Sequence, residues 1–540
     1  MTEFGALAAV ALMLVIATAV ASIARRLGWG MALPVLGAGA ATALIAPVAS
    51  APENPEVFLV VVLVPLVFGE ALGSSFLDLR RVTRPILLLA VGLVVLTTAT
   101  VGATAVTVAA LPVAIALALG AILAPTDLVA VGSAARRASL PRRVVSILEG
   151  ESLVNDGTGL TALRVAVLAA VAGSVTVVEV GVYFTLAVVV GVGVGAAGGW
   201  LLSTILTRGA DPTASNVAVL VAPFALYLAA ESLEGSGVLA VVVAALWVAH
   251  TQSSRPSQAG RLAAAEVWRH LTFLLQAVAF FFIGLELVDM LRRQTAGDLR
   301  LVLLLTVACT ATLIVTRLVF VGVFTLGWWR STRPRLAESW REAIVVAWAG
   351  ARGPVSGLAA FSLPLFVSDG SPLPHRELVL GTVFGVITLT LLISLTLAPL
   401  ARRLALPPDD DARRLSEVRG TLARSALLCV DLAEEQGLES GQPLPAEIVD
   451  RVRSELRLRI EHYTRDAADA AAADEEGARA DRDAVTPPAA IRADLLLLSV
   501  QAEKDELLRI RAEEGLPDAL TRRLMTELDL RESALRALPR

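Results

Sequence analysis

The apolar positions of this chain fall into long unbroken runs rather than into strand-like alternation. Runs long enough to cross a hydrocarbon core of roughly 30 Å cover residues 4–24, 31–48, 54–76, 85–110, 112–134, 144–173, 177–206, 214–231, 235–250, 268–291, 300–328, 341–365 and 377–401. The first run is too long for a cleaved leader and is followed by Arg25 and Arg26, so it reads as a span that stays in place. Beyond residue 403 the pattern changes. Apolar positions recur at helical spacing in Leu415–Leu438, Ile448–Tyr463, Ile491–Ile510 and Leu516–Leu538, separated by Ala/Asp/Glu-rich and Pro487-Pro488 material. The predicted fold is all-α: a polytopic membrane domain of about 13 transmembrane helices over residues 1–403, then a cytoplasmic helical C-terminal region over 404–540.

Composition agrees with that division. Hydrophobic residues make up 56% of the 540 positions and mean hydropathy is +0.70, far above a soluble globular chain. Residues 401–540 hold 22 of the 46 basic and 29 of the 50 acidic side chains, so the net charge of −4 arises in the tail and carries no suggestion of nucleic acid. The spans also sort their positive charge. With the N-terminus outside, alternate loops on the cytoplasmic side carry seventeen arginines, among them Arg80, Arg81, Arg136, Arg137, Arg142 and Arg143. The opposite loops carry only Arg292, Arg293, Arg300 and Arg376. That bias predicts a multi-pass protein of the cell (inner) membrane, N-terminus outside and C-terminus cytoplasmic. Two cysteines, Cys309 in a span and Cys429 in the tail, predict neither a disulfide nor a metal centre. The four histidines lie at loop edges or in the tail, which argues against haem, zinc or iron–sulfur chemistry.

Polar groups inside spans are where function is expected, because a carboxylate near the bilayer centre costs on the order of 2.5–3.5 kcal/mol. The segment Glu149-Gly-Glu-Ser-Leu-Val-Asn-Asp-Gly-Thr-Gly159 carries three acids and an amide. At helical period Glu149, Ser152 and Asp156 share one face, and Glu151 with Asn155 forms the adjacent stripe. Further buried acids are Glu70 and Asp127, and three arginines lie inside spans: Arg164, Arg317 and Arg352. Arg164 is close enough to the outer end of its span to snorkel. Arg317 and Arg352 call for partners among the buried acids.

Two spans interrupt themselves. Pro125 removes a helical amide beside Thr126 and Asp127, and Gly350-Ala-Arg-Gly-Pro354 does the same around Arg352. Paired interruptions of this kind point to a transporter's binding site. A half-helix N-terminus is partly positive and suits Asp127, whereas a half-helix C-terminus presents carbonyls and suits Arg352.

At these residues the chain resembles the monovalent cation:proton antiporters of the NhaP/NHE sodium–proton exchanger type. The matching motifs are Leu63-Val-Pro-Leu-Val-Phe-Gly-Glu-Ala71, Ala124-Pro-Thr-Asp-Leu-Val-Ala-Val131, Glu149–Thr158, Gly235-Ser-Gly-Val-Leu-Ala-Val-Val242, Phe281-Phe-Ile-Gly-Leu-Glu-Leu287 and Gly350-Ala-Arg-Gly353. They run in family order across roughly residues 5–402. Leu128 stands where the family usually has proline, and Ala351 where leucine is common. The resemblance implies inverted repeats with two crossing broken helices and a homodimer. It also implies roles. Asp156 would bind cation and proton alternately, with Ser152, the Thr126 carbonyl and Glu70 completing an oxygen shell. Asn155 would hold the shape of that shell, and Asp127 and Arg352 would neutralise the half-helices. Glu151 would pair with Arg317.

The expected activity is exchange of Na⁺ (or Li⁺) for H⁺ by alternating access, with no cofactor and no enzymatic step. A carboxylate in an oxygen cage can hold a proton or a dehydrated hard cation, but not both well. The lone lysine, Lys504, lies in the tail, and the acidic pair is Asn155-Asp156 rather than two aspartates; both resemble electroneutral exchangers. K⁺/H⁺ exchange on the same scaffold is the near alternative. A cation channel would want rings of like residues rather than opposite charges at broken helices. An intramembrane hydrolase would need a serine–histidine or paired-aspartate arrangement, and no histidine lies at mid-membrane depth.

Overall fold

A computed structural model describes residues 3–45, 55–127, 140–172, 177–208, 211–251, 258–326, 337, 339–366, 371–406, 411–436, 444–469 and 489–536. Among these residues the secondary structure is helical, apart from an isolated bridge between Phe366 and Pro372. The helices are α1 (Glu3–Arg26), α2 (Ala32–Ile45), α3 (Pro55–Gly73), α4 (Phe76–Arg81), α5 (Thr83–Ala109), α6 (Val113–Leu123), α7 (Arg142–Ala172), α8 (Val177–Arg208), α9 (Pro212–Ser232) and α10 (Gly237–Thr251). They continue as α11 (Gln258–Arg293), α12 (Ala296–Leu326), α13 (Trp340–Trp348), α14 (Pro354–Phe361), α15 (Arg376–Ser394), α16 (Leu397–Leu404), α17 (Asp411–Gln436), α18 (Ala446–Asp469), α19 (Ala489–Glu514) and α20 (Asp518–Arg536).

Seven of the described helical stretches are by length and composition able to cross a membrane, and four shorter apolar helices accompany them. The shorter ones include α6 and α10, where the sequence predicts whole spans. The second half of the predicted 112–134 span, from Leu128 onward, lies outside the described residues, as do the loop arginines Arg136, Arg137, Arg255, Arg330, Arg333 and Arg335.

The chain forms two compact units: Met1–Ala249 with Ala263–Pro407, and His250–Leu262 with Pro408–Arg540. In the first unit, small residues let backbones touch, the usual device where hydrophobic burial alone does not drive helices together. A Cβ on Gly39 would fall 2.0 Å from the Phe281 carbonyl, and one on Gly284 would fall 2.0 Å from that of Leu36, so α2 and α11 pack main chain to main chain. Gly191, Gly195 and Gly199 repeat the device one turn apart on α8, facing Ser236, Ala240 and Ala244 of the next hairpin. A π turn at Leu88–Leu93 interrupts α5. One turn earlier Ile86 fits against Gly150 of α7, where a Cβ would sit 2.2 Å from its Cδ1.

The second unit is a helical bundle with its own core. Leu415, Val418 and Leu422 of α17 join Val500 and Leu507 of α19 and Leu520, Leu524 and Leu528 of α20. Farther along α17, Ala426 and Val430 meet Ile448, Val449, Val452 and Leu456 of α18. Among its described residues the buried charges meet opposite ones: Glu503 accepts from Arg459 at 3.0 Å and Arg531 at 2.7 Å, Lys504 donates to Asp529 and Glu532, and Asp518 pairs with Arg511.

Candidate functional site

The site is built where α6 stops. Pro125 has no N–H to offer a helix and leaves the chain non-helical from Ala124 to Asp127. Helix α7 then supplies what the break lacks. The Ser152 hydroxyl donates to the Thr126 carbonyl at 3.0 Å, and the Asn155 amide donates to the Thr126 hydroxyl at 2.9 Å. That hydroxyl donates in turn to Glu151 Oε1 at 3.2 Å. Three side chains within five residues of one helix therefore hold a single threonine. Helical period explains why they reach it together.

The second break, Ala349–Gly353, separates α13 from α14, which Pro354 opens at its first position. The two breaks meet through the backbone, the Asp127 N–H donating to the Ala351 carbonyl at 2.8 Å. Arg352, 3% exposed, aims Nε at the Leu123 carbonyl at 2.7 Å and Nη1 at the Gly350 carbonyl, while its backbone N–H donates to Thr390 at 3.1 Å. One guanidinium thus caps the carbonyl end of α6 and holds a carbonyl of the break just beyond α13. The sequence predicts an acid as its partner; its guanidinium hydrogen bonds instead go to carbonyls, which at a helix end carry partial negative charge and lack intrahelical donors. The Asp127 carboxylate stands at the opposite pole, against Gly353, the N-cap of α14; a Cβ there would lie 2.2 Å from Oδ2.

Asp156, Ser152, Thr126, Asp127 and Glu70 line one small cavity, with Pro125 and the first residues of α14 closing it. Asp156 is 3% exposed. Glu70 comes from α3 and accepts from Gln276 Nε2 of α11 at 3.2 Å. Glu149 is half-buried and does not line the cavity, two helical turns from Asp156.

Glu151 turns away from the cavity and meets Arg317 of α12 in a two-pronged ion pair, Nη2 to Oε2 at 2.7 Å and Nη1 to Oε1, with both side chains almost fully buried. Arg317 Nε also donates to the Val346 carbonyl at 3.1 Å. Arg164, expected to snorkel, is half-exposed and pairs with Glu231 of α9, an acid the sequence reading left aside.

The profile described as "Sodium/hydrogen exchanger, transmembrane" matches residues 10–403, which contain every element of this site. The chain belongs to that exchanger family. It is a transporter family, not an enzyme family. Among curated relatives, a "Sodium, potassium, lithium and rubidium/H(+) antiporter" of Bacillus pumilus is 30% identical over 75% of this chain and 62% of its own length. An uncharacterised Na⁺/H⁺ exchanger of Mycobacterium tuberculosis is 31% identical over 89% of this chain and 87% of its own length. The chain therefore spans less than two thirds of the Bacillus relative. Among solved structures, the sodium proton antiporter of Methanocaldococcus jannaschii superposes with a TM-score of 0.60 at 20% identity, covering 75% of this chain and 99% of that one; the likeness is one of fold.

In this exchanger the polar side chains that line the cavity all carry oxygen, three carboxylates and three hydroxyls, beside the apolar Leu66, Pro125, Pro354 and Val355. Because Ser152 spends its proton on the Thr126 carbonyl, its oxygen faces any guest as an acceptor. Three residues of the surrounding network escaped the sequence reading: Gln276 behind Glu70, Thr390 beneath Arg352, and Ser356 in the cavity wall. Gln276 alone left a trace, as an isolated amide in the apolar run Phe273–Ile283.

Proposed function

We propose that the chain is a secondary antiporter that exchanges Na⁺ (or Li⁺) for H⁺ across the cell membrane, cation and proton competing for Asp156. The observation that carries this reading is the buried cavity in which Asp156, Glu70, Ser152 and Thr126 converge beside two interrupted helices. Hard monovalent cations favour oxygen ligands, and a carboxylate in such a cage is neutralised either by a cation or by a proton. Alternating access then converts competition into exchange. Asn155 holds Thr126 in place, Asp127 and Arg352 offset the half-helix poles, and Glu151 with Arg317 ties α7 to α12. With Asn155 occupied by Thr126 and no lysine in residues 1–403, a single carboxylate exchanges one charge for one charge, an electroneutral cycle.

The remaining assignments follow the same reading. The first 403 residues form the membrane exchanger domain, the N-terminus lies outside, residues 404–540 form a cytoplasmic helical region, and the protein works as a homodimer. The test is dequenching of a pH dye in proteoliposomes challenged with Na⁺, Li⁺ and K⁺ in turn. Cation-driven proton movement is expected from the native protein and not from Asp156→Asn, which should still purify as folded protein. Native-like transport by that variant would sink the assignment of Asp156. Exchange of K⁺ is the second reading, favoured by the name of the Bacillus relative, and the K⁺ arm of the assay decides it.

A further inference from the structure

We propose that Ser356 is a further ligand of the transported cation, so that the second interrupted segment supplies an oxygen to the same shell as the first. The proposal rests on the cation-site reading above and extends it to α14. Ser356 is the third residue of α14, is 1% exposed, and lines the cavity with Asp156, Glu70, Ser152 and Thr126. Its hydroxyl oxygen is buried and has no hydrogen-bond partner among the described residues.

Thr98, Thr306 and Thr325 of this unit share that condition, but of the four only Ser356 lines the cavity. Thr382, Ser394 and Ser362 each donate to a carbonyl three or four residues back, the ordinary way a helix satisfies such groups. Ser356 stands too early in its helix for this. Its preceding turn is the break itself, so the carbonyls three and four residues back belong to the extended Gly353 and to Arg352 rather than to a helical turn. A buried polar group without a partner calls for a specific reason, and an oxygen beside the other oxygens of the cavity finds one in a hard cation. With Ser356 included, neutral oxygens from α7, the Thr126 break and α14 surround the acids. Neutral ligands replace a cation's hydration shell without adding negative charge. Ligation from both interrupted segments also couples occupancy to the place where they meet.

The proposal separates Ser356 from a merely structural serine through the division between apparent KM and maximal rate. In proteoliposomes, Ser356→Ala is expected to raise the apparent KM for Na⁺ and Li⁺ about tenfold while leaving the maximal rate within twofold of the native value. Ser356→Thr, which keeps the oxygen, is expected to stay within threefold in KM. Ser356→Cys keeps the size but offers a soft sulfur, which suits hard cations poorly, and is expected to match the alanine variant. It serves as the deciding variant should Ser356→Ala not purify as monodisperse protein. A KM within twofold of native for either the alanine or the cysteine variant overturns the proposal. So does a fall in maximal rate shared by all three at unchanged KM, the mark of a packing role. Should the native protein move no cation at all, the antiport reading fails rather than the role of Ser356 within it.

Discussion

Gly159 stands directly against Pro125: a Cβ at residue 159 would lie 2.5 Å from the proline Cγ and 3.3 Å from the Ala121 carbonyl. The end of the acidic segment is thus the floor on which the first break rests. Pro125 is covalently followed by Thr126, the residue held by Glu151, Ser152 and Asn155.

Gly159→Ala is therefore expected to reach the cavity without touching a ligand. A methyl group forced into that contact moves Pro125 and with it the Thr126 carbonyl, at a cost of about 1–3 kcal/mol for overpacking. We expect at least a tenfold loss of cation-driven proton flux, with a lower thermal midpoint in detergent. Native flux in this variant would show that the break is not positioned by Gly159.

The Glu151–Arg317 pair gives a second prediction, in stability. Removing one member leaves the other charged and buried, which costs about 3–5 kcal/mol. Glu151→Gln and Arg317→Met should each lower the thermal midpoint markedly, and the double variant by clearly less than the two together, with a coupling of at least about 1 kcal/mol. Thermal unfolding of the four proteins under one detergent condition measures this. Additive losses would mean that the ion pair contributes no coupling.

The tail offers a test that needs no transport. Cys429 is part-buried in α17, and burial, with the nearby Asp505, pushes its thiol above the ordinary range. Since the thiolate is the nucleophile, a raised pKa lowers its fraction at any given pH. Alkylation of Cys429 in folded protein should lag behind that of a free thiol at pH 8, and its rate should keep climbing above the ordinary midpoint of about 8.5. Mass spectrometry of iodoacetamide-treated protein over a pH series reads this out. A midpoint at or below the ordinary one would contradict the buried setting.

How much of this was legible in the sequence depends on what kind of partner each residue has. Ser152 and Asp156 could be set on one helix face from spacing alone, and both line the cavity. The charges of Glu151 and Arg317 announced that partners were needed, but 166 residues separate them, and no local periodicity joins such positions. The acceptors of the Arg352 guanidinium are main-chain carbonyls, which every residue possesses and none advertises, so its charge points wrongly to an acid. Ser356 and Thr390 are single hydroxyls in apolar surroundings, indistinguishable by pattern from the many that merely donate to their own helix. The breaks after α6 and between α13 and α14 are legible in Pro125 and in Gly350-Ala-Arg-Gly-Pro354, although hydropathy alone runs straight through them. Hydropathy records apolar surroundings, and the broken segments keep those surroundings while giving up helical backbone.

The guanidinium of Arg352 has one more implication. By grasping the carbonyls of Leu123 and Gly350 at once, beside the main-chain bond from Asp127 to Ala351, it rivets the two interruptions into a single piece. In the proposed alternating-access cycle, a stroke that carries one of them across the membrane is expected to carry the other with it, along with the α7 face bound to Thr126. The slip plane of an exchange cycle then has to run around this riveted block rather than through it.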